Sequence, residues 1–462
     1  MNNLKTNFKT IWFLIRTIQI GLTNLLIYKF RGGQREEIIE NLCKDLSNQN
    51  IFYTKLFQFI VTNHFSLTTS EKNIVRRYIN KVPYEYKEIN LDFIKKLNET
   101  AKYHNHNFNI AVDDDSYDSP NIKPIYSGTI AFIYEGQLNG KEIVIKVKKN
   151  NIEENITECF NIFKKALEWL SVLPIFFNLN LVEMIEYNKE SFLNQVNFQK
   201  ELENMVLFKN KMSNIDYIYI PEVYEMYTRE NNDIIVMEKI PIIDINIMEN
   251  NEKIKLAEHL YKCMHKFYFD CLIHNDLHLG NMSFLNNKLV LLDFGNCKTL
   301  NSNNNCLMLG LGTAISNNNR ELVKELIYSG VIEKKPKNLE GHPPTTDTSS
   351  LRSKFETQPN SSETLKEEEF ENEVTNLVNL FFETFNSNNS KGALSFSDII
   401  KYNQSLNKYG FKLSNNFIDL QLATLIINSS ICEIINDTDI TLKQVIENAH
   451  NDLLDFSLFS LQ

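Results

Sequence analysis

Paired cysteines are missing from this sequence. Seven Cys are scattered through 462 residues without a CxxC pair or a metal-ligand spacing, which argues against a disulfide framework and a structural zinc site and suits a reducing compartment. A concentrated positive surface is missing too. Lys and Arg number 48 against 58 Asp and Glu, a formal net charge of -10, so nucleic acid is set aside as the main partner, because phosphate backbones demand dense positive charge. The one region that lacks acid is the start: the first 35 residues hold Lys5, Lys9, Arg16, Lys29, Arg31 and Arg35 and no Asp or Glu. These cations surround an apolar run from Ile11 to Tyr28 whose length approaches a membrane span. Arg16, Thr17, Gln19, Thr23 and Asn24 interrupt it, so an amphipathic helix lying on a membrane or packed on the body fits better than a spanning or signal segment. A mitochondrial presequence is the remaining alternative, and the lack of Ser counts against it.

The apolar share, 43%, is enough for a large core and for two or three lobes. The most informative stretch is Cys271 to Lys298, CLIHNDLHLGNMSFLNNKLVLLDFGNCK. A phosphoryl transferase needs a carboxylate to orient the attacking hydroxyl, and a carboxamide and second carboxylate to hold magnesium. Asp276, in the loop His274 to Asn281, suits the first role. Asn281, five residues on, and Asp293, which opens Asp293-Phe294-Gly295, suit the other two. Met282 to Leu285 and Leu289 to Leu292, separated by Asn286-Asn287-Lys288, read as a short hairpin joining the two loops. A lone Asp-Phe-Gly is a common turn; the whole arrangement is far more restrictive.

Glu36 to Asn109 reads as helical, with apolar residues at helical spacing. It contains Lys55-Leu56-Phe57-Gln58, which by itself reads as polar positions on a helix surface. Asp113 to Pro120 is a turn-rich break. Pro124 to Val147 reads as two antiparallel strands turning at Leu138-Asn139-Gly140. The backbone at Gly128 and Thr129 could cover phosphates, and Lys146 would point inward at the α and β phosphates. Phe160 to Phe177 and Phe198 to Met212 are expected helices; the second carries Glu201, a partner for Lys146, with Glu203 as its competitor on another face. Ile218 to Tyr227 and Asp233 to Glu238 are expected to pair as strands, Met237 and Glu238 offering backbone to an adenine edge. Glu252 to Phe269 is the helix that delivers the catalytic loop.

Together these motifs resemble the UbiB/ADCK atypical kinases, the aarF-domain proteins tied to ubiquinone and other isoprenoid-quinone lipids. Their loop HxDxHxGN is matched by His274, Asp276, His278, Gly280 and Asn281. Their KxGQ is similar to Lys55-Leu56-Phe57-Gln58, and Ser127 to Ala131, Lys146, Glu201 and Asn204 resemble their other motifs. The likeness runs from about Glu36 to Ile332. It implies an α+β, protein-kinase-like bilobal fold with an extra N-terminal helical region that folds over the site and favours ATP hydrolysis or a small lipid-like substrate. Lys55 and Gln58 would then be regulatory. Phe57 departs from the motif's Gly, and Gln195-Val196-Asn197 stands where the family has a Glu-x-Asp pair.

No Ala-Pro-Glu follows Asp-Phe-Gly, which agrees with a non-protein substrate. Lys334 to Glu363, rich in Pro, Ser, Thr and charge, reads as a disordered linker. The expected divisions are 1–35, 36–112, 113–240 (small lobe), 241–333 (large lobe), 334–365 and 366–462 (C-terminal helices). The expected function is an ATP- and magnesium-dependent atypical kinase or ATPase at or near a membrane. Lys146, Glu201 and Asp276 would be catalytic, Gly128, Thr129, Met237 and Glu238 would bind nucleotide, and Asn281 and Asp293 would bind metal. A nucleotide-binding pseudokinase scaffold is the alternative, and a conventional Ser/Thr protein kinase the third reading.

Overall fold

The computed structural model describes residues 2–31, 34–54, 57, 61, 67–80, 82–110, 123–170, 189, 193–242, 244–300, 307–334, 361–386, 394 and 396–449. The chain divides into two compact units. One is Met1–Asp244 with Leu279–Cys297, and the other is Ile245–His278 with Lys298–Gln462. The hairpin after the catalytic loop, expected in the large lobe, thus groups with the first unit.

In chain order the first segment holds α1 (Asn2–Arg31), α2 (Arg35–Gln49), α3 (Thr69–Asn80), α4 (Asp92–Tyr103), β1 (Phe108–Ile110), β2 (Tyr126–Ser127), β3 (Ala131–Leu138), β4 (Lys141–Lys148), α5 (Ile152–Leu170), α6 (Phe198–Lys211), β5 (Ile218–Tyr219), α7 (Glu225–Glu230) and β6 (Ile234–Glu238). Then come α8 (Asn250–Phe269), β7 (Leu272–His274), β8 (Met282–Leu285), β9 (Lys288–Leu291) and β10 (Cys297–Thr299). The rest is α9 (Leu307–Ser316), α10 (Arg320–Leu326), β11 (Ile332–Lys334), α11 (Ser361–Asn386), α12 (Phe396–Asn407), β12 (Phe411–Leu413) and α13 (Asn415–Ile434).

The central sheet of the first unit is antiparallel, in the order β1-β3-β4-β6 with β2 on β3. Its β3–β4 hairpin turns at Asn139 and Gly140, both at positive φ (51° and 79°), the two-residue turn that matches strand twist. Side chains alternate across the sheet. Phe132, Tyr134 and Leu138 of β3 and Ile143, Ile145 and Val147 of β4 are buried together with Phe93, Leu97 and Ala101 of α4 and Tyr227 of α7. Lys146, lying between Ile145 and Val147, is therefore turned to the other face. Gly136 faces Ile110 of β1, and a β-carbon there would stand 2.7 Å from the Asn109 carbonyl oxygen.

A second core gathers the N-terminal helices through Phe13, Cys43, Tyr53, Phe57, Val61, Val75 and Ala166. Phe57, which stands where the resembled motif has Gly, is a packing residue here, with its ring 6.5 Å from that of Tyr53. Lys55, Gln58, the Asp113 to Pro120 break, residues 171–177 and residues 335–360 of the expected linker lie outside the described residues. Helix α11 begins at Ser361, ahead of the expected boundary at 366.

Two local expectations differ from the structure. The run Ile218 to Tyr227 is not one strand: β5 pairs parallel with β9, and residues 225–230 are helical. Pro221 lacks the N–H that would continue a strand, although Tyr224 N–H still reaches the Val236 carbonyl at 2.8 Å. Residues 108–110, read as the end of a helical stretch, join the sheet edge as β1.

In the second unit α8 packs against α13, with the Tyr268 and Thr424 hydroxyls 2.7 Å apart. Helix α13 is long and apolar enough to cross a membrane, but most of it is buried inside the protein, the signature of a core helix. Gly136→Ala is expected to cost about 1–3 kcal/mol because β1 must shift. Gly312→Ala, in α9 with nothing within 4 Å of the new methyl, should be neutral or stabilising by up to about 1 kcal/mol. Urea unfolding midpoints of the two variants check the contrast.

Candidate active site

Three charged side chains meet on the face of the sheet opposite its aromatic core. Lys146 Nζ lies 2.7 and 2.9 Å from the two carboxylate oxygens of Glu201 and 2.9 Å from Asp293 Oδ2. The strand register turns Lys146 toward α6, and helical spacing puts Glu201 on the buried side of α6. Glu203 is exposed, so the competition between the two carboxylates falls to Glu201. Phe198, on the same face of α6 three residues earlier, sets its ring 5.3 Å from the Lys146 ammonium. Its spacing from Glu201 was the signal that could have found it.

Asp293 and Asn281 are brought together by the β8–β9 hairpin. Met282 pairs with Leu291, and beyond them Leu292 N–H donates to the Asn281 carbonyl at 3.0 Å, so Leu292 stands opposite Asn281 and Asp293 is the next residue along. The turn, Asn286-Asn287, has positive φ at both residues (52° and 61°), conformations that Asn tolerates. Asp293 Oδ1 accepts the Gly295 N–H at 2.9 Å. Phe294 is fully buried, with its ring edge-on to Phe208 of α6 at 5.3 Å. Its carbonyl accepts from the Asn204 side-chain amide at 2.9 Å, so α6 grips the triplet at Glu201, Asn204 and Phe208.

Burial dominates the electrostatics. It pushes the Glu201 carboxyl up to about 7 in spite of the Lys146 ammonium, and the Asp293 carboxylate adds to the rise. For Lys146, burial opposes the charge, yet the carboxylates of Asp293 and Glu201 outweigh it and hold the ammonium above its ordinary range. Among the described residues no group of three or more His, Cys, Asp or Glu could hold a metal. The fit to magnesium rests on oxygen donors instead: the Asp293 carboxylate and the Asn281 carboxamide suit a hard cation that retains water ligands.

The backbone expected to face a nucleotide is more constrained than the sequence suggests. Gly128 N–H is engaged by the Ala131 carbonyl at 2.9 Å, closing the turn in which Thr129 is buried. Glu238 N–H donates to the Glu222 carbonyl at 2.8 Å and Lys239 N–H to that of Glu142 at 3.2 Å. Met237 is paired with Val144 on one side and bridged to Val223 on the other. Gln195 lies against the triplet, its Cα 3.6 Å from where a β-carbon on Gly295 would stand. The Asn197 side chain caps α6 by accepting Lys200 N–H at 3.1 Å.

Asp276 belongs to the second unit. It follows β7 in a loop held by buried Leu277, whose carbonyl accepts the Ser430 hydroxyl at 3.3 Å. The Asp276 carbonyl accepts His278 N–H at 3.0 Å, and its carboxylate lies 3.7 Å from His278 Nε2. His274, buried beneath, accepts Asp276 N–H at Nδ1 over 3.4 Å.

A family model described as the ABC1 atypical kinase-like domain matches residues 96–327, about half of the chain, including the charge cluster and the loop from His274 to Asn281 but not Lys55 or Gln58. The chain is 30% identical over 175 residues to a probable protein kinase UbiB of Enterobacter sp. (strain 638), covering 36% of this chain and 32% of that protein. It is 31% identical over 175 residues to the probable protein kinase UbiB of Providencia stuartii, with the same coverage. These matches span about a third of each relative's length. A solved structure of Rv3197 with erythromycin, from Mycobacterium tuberculosis, aligns over 88% of this chain and 98% of that one at 14% identity and a TM-score of 0.40, a likeness too weak to argue from.

Because Glu201 titrates near 7 in the folded protein against 4.5 in the open chain, the folded state holds the extra proton between those values. Its contribution to stability therefore falls as pH rises from about 4.5 to about 7 and is level above that. Melting temperatures of wild type and Glu201→Gln across this window should show the slope reduced in the variant.

Proposed function

Since the chain belongs to the ABC1 atypical kinase-like family, we propose that it is an ATP- and magnesium-dependent phosphotransferase or ATPase acting on a small or lipid-like substrate rather than on protein. The observation that carries this reading is the Lys146–Glu201–Asp293 cluster locked to buried Phe294. A lysine–glutamate pair formed together with an inward Asp-Phe-Gly aspartate is what phosphoryl transfer requires of a kinase-like site.

Lys146 binds the α and β phosphates, Glu201 orients Lys146, and Asn281 and Asp293 hold magnesium. The cation, when bound, neutralises charge that develops on the phosphoryl oxygens. Asp276 orients the nucleophile and accepts its proton on the carboxylate, whether the nucleophile is a hydroxyl or a water. The adenine edge falls to the Glu238 carbonyl and the Ile240 N–H, since the N–H groups of Glu238 and Lys239 already have partners. The missing Ala-Pro-Glu segment supports a substrate other than protein.

A pseudokinase scaffold is the second reading, favoured by the engagement of Gly128 N–H within its own turn, which leaves the phosphates less covered. Asp276→Asn separates the two. Magnesium-dependent ATP turnover is expected to fall about 100- to 10,000-fold while nucleotide affinity stays near that of wild type. Asp293→Asn is expected to lose both turnover and magnesium-dependent binding. Wild-type binding without turnover, unchanged by Asp276→Asn, would make the scaffold the answer.

A further inference from the structure

Helix α1 is built inside out. Its inward row, Thr10, Phe13, Thr17, Ile20 and Asn24, recurs every three or four residues, and three of these five are polar. That polar side is satisfied by the rest of the first unit. Thr17 Oγ1 and Tyr53 OH are 2.8 Å apart, and the Gln49 amide donates to the Phe13 carbonyl at 2.8 Å and to Thr17 Oγ1 at 3.1 Å. The outward row is Phe8, Trp12, Ile15, Ile18, Leu22 and Leu25, each between 54% and 73% exposed. A helix on a watered surface has the opposite arrangement, and a ridge about 25 Å long at 1.5 Å per residue far exceeds the scattered apolar residues of an ordinary surface.

Three observations choose what covers this ridge. The ridge belongs to a helix with no acid before residue 36, while Arg16 and Lys29 are exposed, so the charge complement is an anionic surface. Thr6–Phe30 is long and apolar enough to cross a membrane, and most of it is not buried in the protein. Spanning is opposed by α2, which packs along α1 and carries Glu36, Glu37, Glu40, Lys44 and Asp45; hydrocarbon would reject that helix. The ion pair of Lys9 with Glu158 likewise ties α1 to α5.

We propose that α1 is a membrane-docking helix that lies flat in the headgroup layer of a bilayer containing anionic lipid. Its outward row enters the acyl region, and Arg16 and Lys29 sit at the phosphate level. The interaction is independent of ATP chemistry.

The test uses the full chain with Trp169→Phe, which leaves Trp12 as the single tryptophan. It is mixed with vesicles of phosphatidylcholine alone or of phosphatidylcholine with phosphatidylglycerol. Co-sedimentation with the mixed vesicles is expected to exceed that with the neutral ones. Trp12 emission should shift to the blue and be quenched more by lipids brominated near the headgroup than by lipids brominated at the chain end. Ile15→Glu with Leu22→Glu should weaken binding about tenfold or more without moving the melting temperature, because both side chains are already exposed. Absence of binding by the parent protein to either vesicle, or equal binding by the glutamate variant, overturns the proposal. So does strongest quenching at the chain end, which would mean a spanning helix. A solution dimer that the glutamate variant dissociates, in a protein that ignores vesicles, would assign the ridge to a second copy of the chain and overturn it as well.

Discussion

The first unit's chemistry depends on one ammonium held between two carboxylates. Lys146 is largely buried, Glu201 entirely so, and neither would be tolerated there alone: burying an unpaired charge is costly, and a pair recovers that cost only with good geometry and further hydrogen bonds. The further bonds come from the triplet at Asp293. Strand β4, helix α6 and the β8–β9 hairpin are each fixed in place by the need to satisfy the same three charges. The sheet's aromatic core turns Lys146 away from α4, and the Phe294–Phe208 contact holds the triplet to α6. Loss of Lys146 would leave the two carboxylates without the cation that pairs with both of them.

Much of this was legible in the sequence because it rests on short-range rules. Two-residue periodicity set the direction of Lys146, Asn-Gly and Asn-Asn marked the two tight turns, and apolar spacing identified α6 and α8. The side on which Glu201 and Glu203 fall followed from helical geometry. The resemblance that joined these pieces into a kinase-like arrangement rested on HxDxHxGN and on the order of the remaining motifs, and the family match to residues 96–327 agrees with it.

What the sequence did not disclose depends on tertiary partners. The two-residue strand β5 exists because β9 lies beside it, and β1 because β3 has an open edge; neither segment is long enough to show a period. The engagement of the Gly128, Glu238 and Lys239 N–H groups is also a matter of which carbonyl comes near. Phe57 read as a motif position, yet it packs among aromatic and aliphatic neighbours that only the folded N-terminal helices bring together. The apolar run of α1 was visible, but which of its faces would turn inward was not, because hydroxyls and carboxamides can satisfy one another as well as face water.

The split of the signature between two units bears on how the chain is made. Residues 245–278 belong to one body and residues 279–297 to the other, so the first unit is interrupted by a segment of the second. During synthesis, residues 245–278 of the second unit are made between the bulk of the first unit and its last piece, the hairpin that carries Asn281 and Asp293. Until then Lys146 and Glu201 have no third partner, and the face of the sheet they occupy is incomplete. No nascent or truncated chain ending before the hairpin contains the whole charge cluster, and the sequence separation of its members makes their assembly a late, non-local event in folding.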